Sequence, residues 1–259
     1  MRNFFRSLEK EGVRYLLISG QACVLYGASH FTEDIDLWVR PSEPDLRALL
    51  RVLGSMGARV HKLTPPINRR TMLRGHGFHF RLLPDTYLDV MGRPPRVGPF
   101  SNAQARARRL ATDWGPIPVA APEDLVLLKR TNRPSDYETI SNLVKRRVEE
   151  APEDLDVLRW ALRNTYSADD LASFALSAAG RMTTWPRRPP LQALLPISEK
   201  RQTVPYSRRR ETARLLALEA FDHQERGRRY WIPLIRELKD LRRRGKLIPP
   251  GTPVSSLPR

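Results

Sequence analysis

The chain is short of cysteine, of acidic residues and of long apolar runs, and each shortage excludes something. Cys23 is the one cysteine among 259 residues, so no internal disulfide staples the fold and a reducing compartment is expected. Before Leu16 the charges of Arg2, Arg6, Glu9, Lys10 and Glu11 interrupt every apolar stretch of signal-peptide length. With no membrane-spanning run either, the cytoplasm is the expected location and no membrane partner is expected. A Gly-x-x-x-x-Gly-Lys-Ser/Thr stretch is also missing, which leaves a P-loop without support. His76 and His79 stand in a loop-like Arg-Gly-His-Gly-Phe-His stretch with no cysteine or acidic cluster beside them; such a pair is structural or solvated more often than zinc-binding.

What is present is an ordinary 41% of hydrophobic residues and a large excess of base, 45 Lys plus Arg against 28 Asp plus Glu. The excess is uneven. Residues 207–259 hold 14 basic and 6 acidic side chains, whereas residues 151–206 hold 7 and 6. A density of this kind attracts polyanions, nucleic acid foremost, although a solvated arginine-rich helix has the same composition.

Along the first 120 residues short apolar runs alternate with helical spacing, which predicts an α/β or α+β domain built on a mixed sheet flanked by helices. Strands are expected at 14–19, 35–39, 78–83 and 87–91, with a turn at Pro84-Asp85 and a further pair at 108–113 and 117–120. Ser42 with Asp45 resembles a helix-capping pair ahead of Leu46, Leu49, Leu50 and Leu53. From Pro122 the pattern turns helical, with Ser135 and Glu138 as an expected capping box and helices at 152–163 and 168–179. The expected organisation is a sheet domain over 1–148, a helical extension over 149–180, a proline-rich linker over 181–206 and a basic helical region over 207–259. That last region is expected as two helices, 208–226 and 231–244. The stripe Leu234, Ile235, Leu238, Leu241 needs something to pack on.

The chemistry concentrates between Ser19 and Asp36. On a strand, side chains at i and i+2 share a face, so Asp34 and Asp36 converge while Ile35, Leu37 and Val39 face the other way. Adjacent carboxylates repel, and a hard cation such as Mg²⁺ relieves the repulsion while leaving places for phosphate oxygens and water. Asp89, between Leu88 and Val90 on a later strand, is a candidate third carboxylate. Three carboxylates can hold two metal ions. An Asp-x-Asp pair alone is equally the exposed end of a strand or a turn. Trp38 shares the aspartate face, where it either stacks on a base or packs. Cys23 reads as a small core residue rather than a nucleophile.

Taken with its context, the stretch from Gly20 to Asp36 resembles the Gly-[Gly/Ser]-x-Asp-x-Asp signature of the DNA polymerase beta-like nucleotidyltransferase superfamily, in particular its minimal and AbiEii-like bacterial members. The resemblance runs to about residue 145. It implies a nucleotidyltransferase-like fold and transfer of a nucleoside monophosphate from an NTP to an acceptor. It also implies that Asp34, Asp36 and Asp89 are metal-binding and catalytic with Mg²⁺, and that Ser19, Gly20, Gln21, Thr32 and Lys129 bind the nucleotide. Asp136, in Arg133-Pro134-Ser135-Asp136, would order the adjoining loop or helix. Two positions depart from the pattern: Ser19-Gly20-Gln21 carries one glycine, and His30 stands where an arginine is usual. Lys129 is alternatively a solvated lysine at a helix end, and Asp136 a first-turn acid.

The superfamily includes tRNA-modifying toxins of toxin–antitoxin systems and enzymes that modify antibiotics or proteins. The basic residues Arg208, Arg209, Arg210, Arg228, Arg229, Arg242, Arg243 and Arg244 point to RNA, tRNA included, as acceptor. A protein acceptor, or an antitoxin covering the Leu234–Leu241 stripe, is a further expected partner. The competing expectation is a catalytically weakened relative that binds nucleotide or nucleic acid without turnover. DNA binding by the C-terminal helices ranks last, because no helix-turn-helix spacing stands out.

Overall fold

A computed structural model describes residues 1–82, 86–195 and 203–258. The expected turn at Pro84-Asp85 and part of the expected linker lie outside them. The fold is mixed α/β, as the alternation of patterns predicts.

In chain order the elements are α1 (Arg2–Lys10), β1 (Tyr15–Ile18), α2 (Ser19–Leu25), β2 (Asp34–Val39), α3 (Glu43–Ser55), β3 (Arg59–Val60), α4 (Arg69–Leu73), β4 (Gly77–Leu82), β5 (Thr86–Met91) and α5 (Phe100–Arg106). They continue with β6 (Arg108–Leu110), β7 (Ile117–Val119), α6 (Pro122–Leu128), α7 (Ser135–Glu150), α8 (Leu155–Asn164), α9 (Ala168–Ala178), α10 (Pro189–Gln192) and α11 (Tyr206–Arg243). The chain divides into two compact units: 1–25, 30–128 and 230–259 form the first, 26–29 and 129–229 the second.

The first unit is a seven-stranded sheet in the order β3-β4-β5-β2-β1-β7-β6. Its centre is β2, antiparallel to β1 and parallel to β5. Alternation explains the layering. Ile35, Leu37, Leu88, Val90, Phe78 and Phe80 lie on one face and are at most 4% exposed. Each such side chain contributes roughly 1.5–3 kcal/mol by leaving water. The chain returns to this sheet after α11: Val60 and Thr64 exchange backbone hydrogen bonds with residues 248–252, and Val254 is buried. That return covers the exposed β3 edge.

The predicted cap at Ser42 forms and carries more than a cap. Ser42 accepts from the Asp45 backbone, and the buried Asp45 carboxylate accepts from the Ser42 hydroxyl, the Arg14 backbone N–H (2.8 Å) and Arg40 Nε (2.7 Å). By contrast the capping box expected from Ser135 does not form. Pro134 already has helical backbone angles, so Ser135 sits inside the first turn and makes no cap hydrogen bond.

In the second unit α7, α8 and α9 pack in succession around Ile140, Val144, Leu158, Leu162, Leu171 and Ala175. The proline-rich stretch contains the short helix α10 and buried Arg188, whose guanidinium donates to Glu219 and to the carbonyls of Leu162 and Thr165. The two expected basic helices are one: α11 runs 38 residues with Pro233 inside it. An interior glycine such as Gly227 costs only about 1 kcal/mol, too little to end a helix that packing supports elsewhere. Residues 206–229 of α11 belong to the second unit and 230–243 to the first. In the first unit Glu237 of α11 pairs with Arg74 and with His76 Nε2 (3.1 Å). This contact lowers the Glu237 carboxyl below its usual range, because the two bases outweigh the cost of its burial. On the expected apolar stripe Leu234 is buried, Leu238 and Leu241 are partly covered, and Ile235 is exposed.

Candidate active site

Strand register gathers the predicted carboxylates into two cross-strand rows. Asp36 is the direct partner of Asp89 on parallel β5, and Asp89 is in turn the partner of His79 on β4. One step along, Asp34 is the partner of Tyr87, and Tyr87 of Arg81. Residues paired in this way share a face, with strands about 4.8 Å apart. The first row reads His79, Asp89, Asp36, Ile18; the second reads Arg81, Tyr87, Asp34. Asp34 and Arg81 are exposed, while Asp36, Asp89 and His79 are partly covered. This is the face opposite Ile35 and Leu37, as the spacing predicts.

His79 Nδ1 lies 2.7 Å from Asp89 Oδ1. The sequence singles out His79 only as one of a loop-like pair with no acid beside it, and Arg81 not at all; the structure places both on β4, because their relation to Asp89 and Asp34 depends on which strand pairs with β5. The sequence signal that puts His79 and Arg81 on one face is the alternation of Gly77, His79 and Arg81 with buried Phe78, Phe80 and Leu82.

At the end of β1 the chain turns directly into α2. Since Ile18 pairs with Asp36, Ser19 and Gly20 lie at the Asp34 end of β2. Ser19 has φ +60°, the left-handed conformation that favours glycine. The position where one expected glycine is missing is thus a position whose geometry asks for one. Gly20 is constrained differently. A Cβ there would stand 2.7 Å from Thr32 Oγ1, so Thr32 packs directly on the glycine. The structure therefore joins Ser19, Gly20 and Thr32, with half-covered Gln21 next along α2.

Ser19→Gly is expected to stabilise the fold. Relief of about 1–2 kcal/mol of left-handed strain, less about 0.5–1 kcal/mol for the added freedom of the unfolded chain, leaves a net gain of about 0.5–1 kcal/mol. Thermal melting would register this as a rise in Tm of about 2 °C, and Ser19→Val as a fall. An unchanged or lower Tm for the glycine variant would contradict the strain.

Lys129 and Asp136 belong to the second unit. Lys129 Nζ sits 2.8 Å from Asp136 Oδ1 with both side chains largely buried, and the Thr131 hydroxyl donates to the same carboxylate. Asp136 thereby orders the loop ahead of α7, the part the resemblance assigns to it, and the Lys129 ammonium is engaged. Trp38 takes the packing alternative: its ring is 1% exposed, lies edge-on to Phe100 and donates from Nε1 to the Gly92 carbonyl. Cys23 is buried.

The arginines of α11 are mostly solvated, with local partners. Arg209 pairs with Asp169, Arg228 with Glu225, and Arg243 and Arg244 with Asp240; Arg208 donates to the Leu194 carbonyl. Arg210, Arg229 and Arg242 are exposed, with no ion-pair partner among the described residues. Exposed pairs of this kind are worth little and yield readily to a phosphate.

The donor set on the sheet consists of carboxylate oxygens, the ligands of a hard cation. Mg²⁺ is usually held by one or two carboxylates, with substrate phosphates and water completing the shell. Asp36 and Asp89, side by side, fit that requirement. Among the described residues no group of three His, Cys, Asp or Glu side chains is gathered to hold an ion, so the expected three-carboxylate set of Asp34, Asp36 and Asp89 shares a face without closing into one site. No described helix is long and apolar enough to cross a membrane. Compared with known proteins, the chain matches no family model and no curated protein.

Proposed function

We propose that the first unit is a metal-dependent nucleotidyltransferase, which moves a nucleoside monophosphate from an NTP to an acceptor hydroxyl and releases pyrophosphate. The observation that carries this reading is the register of Asp36 against Asp89, with Asp34 on the same face and the Ser19-Gly20 turn at the same end of the sheet. In the reaction the acceptor oxygen forms a bond to the α-phosphorus as the bond to the pyrophosphate oxygen breaks. Asp36 and Asp89 would hold Mg²⁺, which supplies charge neutralisation at the phosphates. Asp89 takes the acceptor's proton and His79 orients that carboxylate. The Ser19 and Thr32 hydroxyls and the Gly20 backbone N–H would donate to phosphate oxygens, with Thr32 packed on Gly20. Arg81, exposed in the row of Asp34, adds a cation for the leaving pyrophosphate.

RNA is the acceptor that the basic composition favours. Its affinity should fall steeply with added salt, as arginines that displace counterions require; a flat response would exclude it. The deciding assay supplies Mg²⁺, each α-labelled NTP and total cellular RNA and protein, beside an Asp34→Ala, Asp36→Ala double variant. Label entering an RNA or protein band with the wild type only supports transfer and identifies the acceptor.

His79→Ala is expected to weaken the apparent Mg²⁺ affinity of transfer by roughly 10–100-fold, as losing the partner of a ligating carboxylate does. Raising the Mg²⁺ concentration should restore much of the rate. A variant with unchanged Mg²⁺ dependence would remove His79 from the site.

A second reading, nucleotide or nucleic-acid binding without turnover, is favoured by the altered turn, where Ser19 holds a left-handed conformation in place of a glycine. Calorimetric titration separates the two. NTP binding that survives the Asp34→Ala, Asp36→Ala double substitution supports the binder.

A further inference from the structure

The second unit holds a cavity of about 820 Å³ whose lining the transfer reaction does not use. Its walls come from the start of that unit, the end of α8, the segment at α10 and the middle of α11. Four guanidiniums line it, those of Arg130, Arg163, Arg187 and Arg188, against the two carboxylates of Glu219 and Asp222. They leave an excess of two positive charges. Glu219 is committed to Arg188, at 2.9 Å, and Arg188 is further fixed by two carbonyls and by lying 5.3 Å from the Tyr166 ring centre.

The other three guanidiniums are differently placed. Arg163 and Arg187 are exposed at the cavity, with no ion-pair partner among the described residues. Arg130 donates to buried Asn164 at 2.9 Å, yet its Nε is buried with no hydrogen-bond partner. His223, also in the lining, adds no charge near neutral pH, since burial and then Arg130 depress its pKa to about 4. Beside this cationic part stands an apolar one: Leu218 and Phe221 line the cavity and are 52% and 54% exposed, so both are accessible to a ligand.

We propose that this cavity binds a nucleoside phosphate, with Arg130, Arg163 and Arg187 taking the phosphate and Phe221 with Leu218 taking the base. Guanidiniums match phosphate oxygens two at a time, and two surplus charges match a phosphate dianion. A bare inorganic anion would leave most of the volume and the whole apolar wall unused, whereas the volume falls in the range of small-molecule sites. An exposed aromatic ring beside arginines is what stacks a base irrespective of its identity. The same chemistry is offered by a free mononucleotide and by the terminal nucleotide of an RNA. The site is built from residues of the second unit alone and goes beyond the transfer reading.

The test is calorimetric titration of the full chain carrying Asp36→Asn, in EDTA, so that metal-dependent binding at the first unit is silent. The probes are AMP, adenosine, inorganic phosphate and a 5′-phosphorylated adenosine hexamer of RNA. AMP is expected to bind about tenfold or more tighter than adenosine or phosphate. Arg163→Gln with Arg187→Gln should cost AMP about tenfold or more. Phe221→Ala should weaken AMP by about tenfold and leave phosphate unchanged. Both arginines and Phe221 are exposed, so the variants keep the fold, which melting confirms. A hexamer tighter than AMP supports the site and identifies an RNA end; AMP as tight as the hexamer supports it and identifies a free nucleotide. Absence of AMP binding at millimolar concentration, adenosine or phosphate binding as tightly as AMP, or a double arginine variant equal to its parent would overturn the proposal.

Discussion

Asp36→Asn is expected to lower nucleotidyl transfer by about 10³-fold while leaving the melting temperature within about 2 °C of the parent. The effect on rate is large because Asp36 lies in the middle of its row, between Ile18 on β1 and Asp89 on β5. A metal ion that neutralises phosphate charge contributes several kcal/mol to the transition state, and each 1.36 kcal/mol is a factor of ten. Asparagine keeps the size of the side chain and loses its charge. The small effect on stability follows because asparagine keeps the side chain's size and an accepting oxygen while removing one of two like charges on adjacent strands. The check is a single-turnover transfer assay with label at the α-phosphate, alongside melting. Asp89→Asn should show the same pattern, and Asp34→Asn a smaller loss, because Asp34 sits one row away beside Tyr87. Equal transfer by Asp36→Asn and wild type would dismiss the proposed reaction at this site, whatever the acceptor.

The second large effect concerns stability alone. Asp45→Ala is expected to destabilise the first unit by roughly 2–3 kcal/mol, the range for losing hydrogen bonds to a buried charged acceptor whose arginine partner can reach water. Asp45 is 2% exposed and holds three donors at once: the Ser42 hydroxyl, the Arg14 backbone and Arg40. Alanine would leave the Arg14 N–H, the Arg40 guanidinium and the Ser42 hydroxyl without their acceptor, while the cap bond from the residue 45 backbone to Ser42 stays. Chemical denaturation should report the loss as a lower midpoint at unchanged slope.

The pH dependence follows with a definite sign. Burial raises the Asp45 carboxyl, but the hydrogen bonds from Ser42, Arg14 and Arg40 outweigh it, and the net pKa lies below the ordinary value of 3.8. The unfolded chain therefore binds a proton before the folded one does. The stabilisation is complete above about pH 5 and is lost as pH falls through the unfolded pKa towards the folded one. Asp45→Ala should flatten this acid limb. A limb that keeps its full slope would assign acid sensitivity elsewhere, with Glu237 the next carboxylate held low by its partners.

Much of the chemistry was legible in one dimension because it obeys period two. Asp34, Asp36 and Asp89 alternate with Ile35, Leu37, Leu88 and Val90, so the face they occupy follows from strand geometry before any pairing is known. The Ser42–Asp45 cap and the start of α6 at Pro122 are local in the same sense, each depending on residues within one turn. The packing of Thr32 on Gly20 is not local in this way: both were singled out as nucleotide contacts, and only the turn joins them.

Pairings between distant residues were not legible, since nothing in a strand's own sequence states its neighbour. That β5 lies between β2 and β4 decides that Asp89 stands beside Asp36 and is held by His79, and that Arg81 shares a row with Asp34. Helix ends that rest on packing were equally hidden: α11 passes Gly227 and Pro233 without ending, where propensity alone predicts two helices. The amino-acid sequence thus determined which residues carry charge and which face of its own strand each occupies, through backbone stereochemistry. Only the tertiary structure decided which of those faces meet, because register and order are set by the summed burial of side chains far apart in the chain.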